Sequence, residues 1–144
     1  MKSLIIATIS ALIIFSSPSQ ARDDLVHLNI EQVLTSSKAA GVLNPNIKLY
    51  FGEQSYPAPS EHYGEVVTNK KTNAFGKSDE EACSWVFLSA IKALQQRAVR
   101  EGHNAVVDIT SYYKKNEYKS NEEFECGAGT LMAGVALKGK IVSL

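Results

Sequence analysis

The stretch SDEEACSWVFLSAIKALQQRAVREG, residues 78–102, predicts one long helix around which the rest of the chain is organised. Ser78 and Glu81 form a capping box at its start, and Gly102 stands where a helix-ending glycine is expected. Apolar residues recur along it at spacings of three and four: Cys83, Val86, Phe87, Ala90, Ile91, Leu94 and Ala98. A stripe of this width is typical of a helix that packs on a sheet, and we expect the helix to cover residues 79–101.

Segments with the composition of strands surround this helix. They are residues 47–51 and 65–68 before it, and residues 105–113, 122–128 and 130–142 after it. A short N-terminal helix is expected over residues 30–40. Together these segments predict an α+β fold in which the long helix packs on a mostly antiparallel sheet.

The first 21 residues have the pattern of a secretory signal peptide. Lys2 supplies a positive charge, residues 4–15 form an apolar run, and Ser19-Gln20-Ala21 offers small residues at positions −3 and −1. The run is shorter than the roughly 18 to 20 residues that a membrane-spanning helix needs. We therefore expect cleavage before Arg22, no stable membrane span afterwards, and a single periplasmic or secreted domain over residues 22–144. A retained membrane anchor is the alternative.

Both cysteines lie in the part of the chain that would be exported. In an oxidising compartment Cys83 and Cys126 are expected to pair, which in the chain-entropy model stabilises the fold by roughly 4 kcal/mol. A redox-active pair and a metal site are the alternatives. Redox pairs usually lie close in sequence, as in CxxC, and zinc usually takes four ligands, and neither pattern is present. The sequence therefore predicts a structural cystine.

The composition excludes one class of partner. The chain carries 15 Lys and Arg against 15 Asp and Glu, so its formal net charge is zero. Nucleic-acid-binding domains are usually basic, and nucleic acid is therefore not expected as a partner. A content of 44% hydrophobic and 21% charged residues is typical of a folded domain.

Trp85 lies on the side of the predicted helix that faces away from the main apolar stripe. In one interpretation Ile30, Val33 and Leu34 of the short N-terminal helix cover it. In the other it is exposed and anchors a partner, since Trp is enriched among residues that dominate binding energy.

Two long segments, residues 52–64 and 69–77, are expected to be irregular. Loops of this length are over-represented at binding sites. The second carries Lys70, Lys71 and Phe75, which can present basic groups and an aromatic ring to an anionic partner. A plain solvated loop is the alternative.

Catalytic motifs are missing from the sequence. The three histidines, His27, His62 and His103, are scattered over separate segments, and neither a G-x-S-x-G nor a G-x-x-x-x-G-K-[ST] motif occurs. No catalytic residue, metal ligand or cofactor is therefore assigned. The preferred function is a non-enzymatic domain that binds another envelope protein, with envelope stress sensing as one form of this role. A small-ligand or metal-binding module and a thiol oxidoreductase are the alternatives.

Three stretches resemble a family of small exported bacterial proteins. They are TNKKTNAFGKSDEEAC at residues 68–83, NAVV at residues 104–107 and CGAG at residues 126–129. Members of this family often carry the label excinuclease ATPase subunit. The missing phosphate-binding loop and the signal peptide make that activity physically untenable here. The resemblance covers nearly the whole mature chain and implies no specific function.

A more distant resemblance covers the C-terminal half. NAVV at residues 104–107, Cys126 and AGVAL at residues 133–137 resemble the periplasmic domain of the Rcs outer-membrane stress-sensor lipoprotein and the related YbjQ-like fold. The resemblance implies that Cys83 and Cys126 match one of the lipoprotein's two cystines. A lipobox cysteine and a second cystine are missing, so outer-membrane anchoring does not carry over. The heavy-metal label of the YbjQ-like family transfers no ligand residue.

Overall fold

The computed structural model describes residues 22–144, and the predicted signal peptide, residues 1–21, lies outside them. The described residues form six strands and three α-helices. The strands are β1 (Asp24–Asn29), β2 (Lys48–Phe51), β3 (Glu61–Asn73), β4 (Ala105–Ser111), β5 (Glu123–Ala128) and β6 (Met132–Ser143). The helices are α1 (Ile30–Leu34), α2 (Ser37–Val42) and α3 (Asp79–Arg100), and a 3₁₀ turn follows β4 at Tyr113–Lys115.

Strand β6 holds the sheet together. One of its edges pairs with β3 along its whole length, and the other pairs with β5 near the start of β6 and with β4 near its end. Strand β1 adds to β5, and β2 adds to β4 in the one parallel pairing among the described strands. The predicted α+β fold, with a long helix on a mostly antiparallel sheet, is confirmed.

Helix α3 begins and ends where the sequence predicts. The Ser78 hydroxyl accepts a hydrogen bond from the Glu81 N–H (3.1 Å), and Gly102 follows the helix with a φ of +77°. The apolar stripe is fully buried against the sheet. At its centre Phe87 stacks on Phe124 of β5, with ring centroids 3.9 Å apart. Burial of such a ring is worth about 3 to 5 kcal/mol when it is truncated to alanine, so this contact fixes the helix on the sheet.

The cystine between Cys83 and Cys126 joins the first turns of α3 to β5. The two Cα atoms lie 5.9 Å apart, and both residues are fully buried in the core between helix and sheet. The predicted pairing is confirmed. Its burial favours a structural role over a redox role, because thiol exchange needs access to the sulfur atoms.

Strand β3 is longer than the sequence indicates. Residues 61–64 and 69–73 are expected to be irregular, but both belong to β3 and pair with β6. Asn69, Lys70 and Lys71 have low strand propensity, but the continuous pairing with β6 outweighs it. Strand β1 is likewise not among the strands predicted from the sequence, because it is short and its outer side chains, such as Leu25, are exposed.

The single short helix expected over residues 30–40 is two helices. Thr35 ends α1, and the Ser36 hydroxyl caps α2 by accepting a hydrogen bond from the Ala39 N–H (3.3 Å). Ser is a strong N-cap, so the Thr-Ser pair breaks the helix and turns its second part away.

Candidate partner-binding surface

One end of the sheet carries three large apolar side chains that are exposed. They are Phe75, Leu131 and Met132, with exposed fractions of 70%, 62% and 49%. We call these three residues the apolar tip. Their backbone segments adjoin, because Asn73 pairs with Met132 and the Ala74 N–H donates to the Leu131 carbonyl oxygen (2.8 Å). Clustered exposed apolar side chains of this kind mark interaction sites more often than scattered ones do.

The turn that carries Phe75 is ordered by hydrogen bonds. The Phe75 N–H donates to the Asn73 side-chain oxygen (2.9 Å), and the Lys77 N–H donates to the Ala74 carbonyl (3.1 Å). Gly76 has a φ of +71°, a left-handed conformation that glycine adopts without strain. The ring of Phe75 is thus held outward by a defined turn and not by a flexible loop.

Three lysines surround the apolar tip. Lys77 lies in the turn, whereas Lys70 and Lys71 lie on β3 and not in a loop as the sequence indicates. Successive strand residues point to opposite faces, so Lys70 and Lys71 flank the sheet on its two sides. None of the three forms a salt bridge within residues 22–144. Lys71 lies near enough to Asp23 to help lower the pKa of that carboxylate, so part of its charge is offset within the chain, whereas Lys70 and Lys77 add positive charge beside the tip.

Trp85 is exposed, with 44% of its surface accessible, so the interpretation in which the N-terminal helix covers it is wrong. Ile30 and Val33 are buried in the main core instead, and Leu34 packs at its edge. The Lys38 ammonium of α2 lies above the indole, 6.0 Å from the ring centroid.

The sheet face away from α3, here called the open face, is partly covered by the chain that follows β4. Tyr113 lies over Gly127 and Gly134: a side chain at Gly127 would collide with its ring, and a Cβ atom at Gly134 would lie 3.3 Å from it. Its hydroxyl donates to Asp23 (3.1 Å), which also pairs with Lys114. Burial and the bond to Asp23 raise the pKa of Tyr113 above its usual range. The bond from Lys114 lowers the pKa of Asp23.

A buried carboxylate lies beside this covering segment. Glu125 on β5 has a side chain that is 10% exposed, and His27 of β1 lies 3.3 Å from it. The His27 ring packs on Tyr118, with centroids 4.5 Å apart. A cavity of about 380 Å³ opens onto Glu125, with Tyr113 and Tyr118 among its walls. The sequence gives no signal for this cluster, because three distant segments form it.

The histidines do not come together. His27 lies beside Glu125, His62 lies on β3, and His103 follows α3 and bonds the Ser143 hydroxyl (2.7 Å). Residues 22–144 hold no group of three or more His, Cys, Asp or Glu side chains arranged to bind a metal ion. None of the helices in the same part of the chain is long and apolar enough to cross a membrane.

Comparison with protein-family models, with curated proteins and with solved structures finds no significant match to this chain. The resemblances drawn from the sequence motifs therefore remain predictions. Function has to be argued from the surfaces of the molecule itself.

Proposed function

We propose that this chain is a binding domain that acts outside the cytoplasm and docks a partner protein through the apolar tip. The observation that carries the proposal is the hydrogen bond from Ala74 to Leu131, which places Phe75 beside Leu131 and Met132 with all three exposed. Three apolar side chains in contact with water cost free energy, and a complementary surface would recover it.

The lysines define the chemistry of the partner. Lys70, Lys71 and Lys77 surround the tip without salt-bridge partners in the described residues. A partner with an apolar pocket and an acidic rim would match both features. Because the turn at residues 74–77 is already ordered, little conformational entropy would be lost on binding.

Site-specific photocrosslinking in the native compartment tests this proposal. A benzophenone side chain at Phe75 should give one discrete crosslinked protein. The matched control is Val99, which is 53% exposed but lies at the far end of α3, about 30 Å along the helix axis. A third probe at Trp85 tests a second exposed aromatic residue. Equal crosslinking from positions 75 and 99 would contradict a specific site at the tip.

A membrane surface is the competing explanation for an apolar, basic tip. Vesicles with and without anionic lipid should leave the purified domain in solution, because the proposal assigns the tip to a protein. Vesicle binding that is lost on Phe75→Ser, together with no protein crosslink, would overturn the proposal in favour of lipid docking.

The proposed location of the protein outside the cytoplasm is tested separately. The buried cystine is compatible with an oxidising compartment, and the signal-peptide pattern supports export. N-terminal sequencing of the native protein should therefore begin at Arg22. Protein that stays in the cytoplasm with Met1 intact and two free thiols would contradict the proposed location.

A further inference from the structure

Strand β3 leaves a long edge of the sheet unpaired. It has 13 residues, against about 5 to 6 for an ordinary strand, and its only strand partner in the described chain is β6. From residue 64 to residue 72, no hydrogen bond joins the β3 backbone to any described residue outside β6. Proteins usually shorten, cover or charge such edges, because their free N–H and C=O groups invite another strand.

The usual protective devices are weak on this edge. A bulge between His62 and Gly64 distorts only one end of β3, and the strand contains no proline. Its charges are of mixed sign, with Glu61 and Glu65 in the first half and Lys70 and Lys71 in the second. A strand that carried only lysines would repel a second copy of itself. A strand with both acidic and basic residues can instead place unlike charges opposite each other in an antiparallel pair.

We propose that two copies of this protein pair antiparallel through the free edges of β3, with Thr68 on the two-fold axis. In that register Lys71 of each copy lies directly opposite Glu65 of the other, on the open face. Val67, which is 55% exposed in one copy, lies opposite Asn69 of the other. Directly opposed residues of unlike charge stabilise a strand pair.

Neighbouring registers lack this match. With Val67 on the axis, Lys71 lies opposite Tyr63 and Glu65 opposite Asn69. With Asn69 on the axis, Lys71 lies opposite Val67. With Lys70 on the axis, two lysines of like charge face each other. With Val66 on the axis, Lys71 lies opposite Glu61, but the bulge between His62 and Gly64 separates Glu61 from the regular part of the strand. Among the registers that use the regular part of β3, residues 64–73, and keep both α3 helices on one face, the register centred on Thr68 alone pairs opposite charges, and the symmetry of the dimer makes that pair twice.

The resulting dimer has a continuous sheet with both α3 helices on the same face. The two apolar tips lie at opposite ends, about 45 Å apart along the paired strands at about 3.3 Å per residue. The surface between two edge strands is small, so a weak, concentration-dependent dimer is expected. Lys71 is shared by the two proposed surfaces, so a dimer in this register leaves Lys70 and Lys77 as the basic residues beside the tip.

Sedimentation equilibrium of the cleaved protein, between about 5 and 200 µM at low salt, tests the pairing. The wild type should show a monomer–dimer equilibrium that weakens with salt. Lys71→Glu and Glu65→Lys should each raise the dissociation constant by about tenfold to a hundredfold, because each places like charges opposite one another twice. The double variant should dimerise as the wild type does. Lys70→Glu is the matched control, since this residue lies opposite Val66 on the other face.

A mixture of the two single variants makes the sharpest test. Lys71→Glu alone and Glu65→Lys alone should be monomeric, but the mixture should form a heterodimer, because every opposed pair then has unlike charges. Circular dichroism confirms that each variant is folded. Wild-type protein that stays monomeric at about 200 µM would overturn the proposal. The free edge of β3 would then be available to a strand of another protein. A dimer that neither single variant weakens would assign dimerisation to another surface.

Discussion

Gly127 makes room for the ring of Tyr113, and filling that room tests how the open face is built. A Cβ atom on Gly127 would lie 2.2 Å from both Cζ and the hydroxyl oxygen of Tyr113. The φ of Gly127 is not positive, so alanine there adds no backbone strain of its own. Gly127→Ala must therefore displace the tyrosine ring, and the perturbation is confined to that contact.

The cost follows from the packing of the ring. Exposing the part of Tyr113 that is now buried should cost about 2 to 3 kcal/mol. The bond to Asp23 is left out of this sum because solvent screens it. Alanine also reduces the conformational entropy of the unfolded chain, which stabilises the folded state by up to about 1 kcal/mol and offsets part of this cost. We expect Gly127→Ala to lower the free energy of unfolding by about 1 to 2 kcal/mol.

Urea denaturation of a double-mutant cycle measures this effect. In a Tyr113→Ala background the ring is gone, so Gly127→Ala should there be neutral or slightly stabilising. The pKa of Tyr113 is a second readout: it is raised in the wild type and should return toward its ordinary value in Gly127→Ala. The same loss of stability in both backgrounds would refute the argument, since the cost would then have nothing to do with Tyr113.

Three further predictions concern the core, the helix and pH. Replacing both Cys83 and Cys126 with serine should destabilise the fold by about 3 to 4 kcal/mol in urea, and no change would show that the cystine constrains little. Trp85 should be quenched readily by acrylamide, and Trp85→Ala should cost less than about 1 kcal/mol, far below a core aromatic. Because Lys114 lowers the pKa of Asp23 in the folded state, the ionised carboxylate stabilises the fold above its unfolded pKa, and this contribution is lost as the pH falls through the folded pKa. Asp23→Asn should therefore be less stable than the wild type at pH 7 and match it near pH 2, whereas a constant difference would contradict the assignment.

The parts of the fold that sequence predicts are those with local signals. Helix α3 has a cap at Ser78, a stop at Gly102 and a stripe between them, all written within 25 consecutive residues. The cystine is predictable because the chain has only two cysteines. Strand β3 is not predictable over its full length, since Asn69 to Lys71 become a strand only by pairing with β6, which is distant in sequence.

The candidate site shows the same division. Phe75 and its neighbouring lysines can be singled out from composition, but Leu131 and Met132 cannot. Their meeting depends on the register that sets Asn73 against Met132. Trp85 is misjudged for a related reason: Ile30 and Val33 are buried in the main core, and the periodicity of a short helix does not show which side of α3 it packs against.

The position of β6 in the chain affects when the molecule can fold. Three of the other five described strands pair with β6, yet β6 is the last of these elements to leave the ribosome. Until it emerges, β3 has no strand partner, and the β1–β5 and β2–β4 pairs are not joined to each other. Contacts so distant in sequence form slowly, because loop closure must precede them. The six-stranded sheet of the described residues therefore cannot be completed before β6 has left the ribosome.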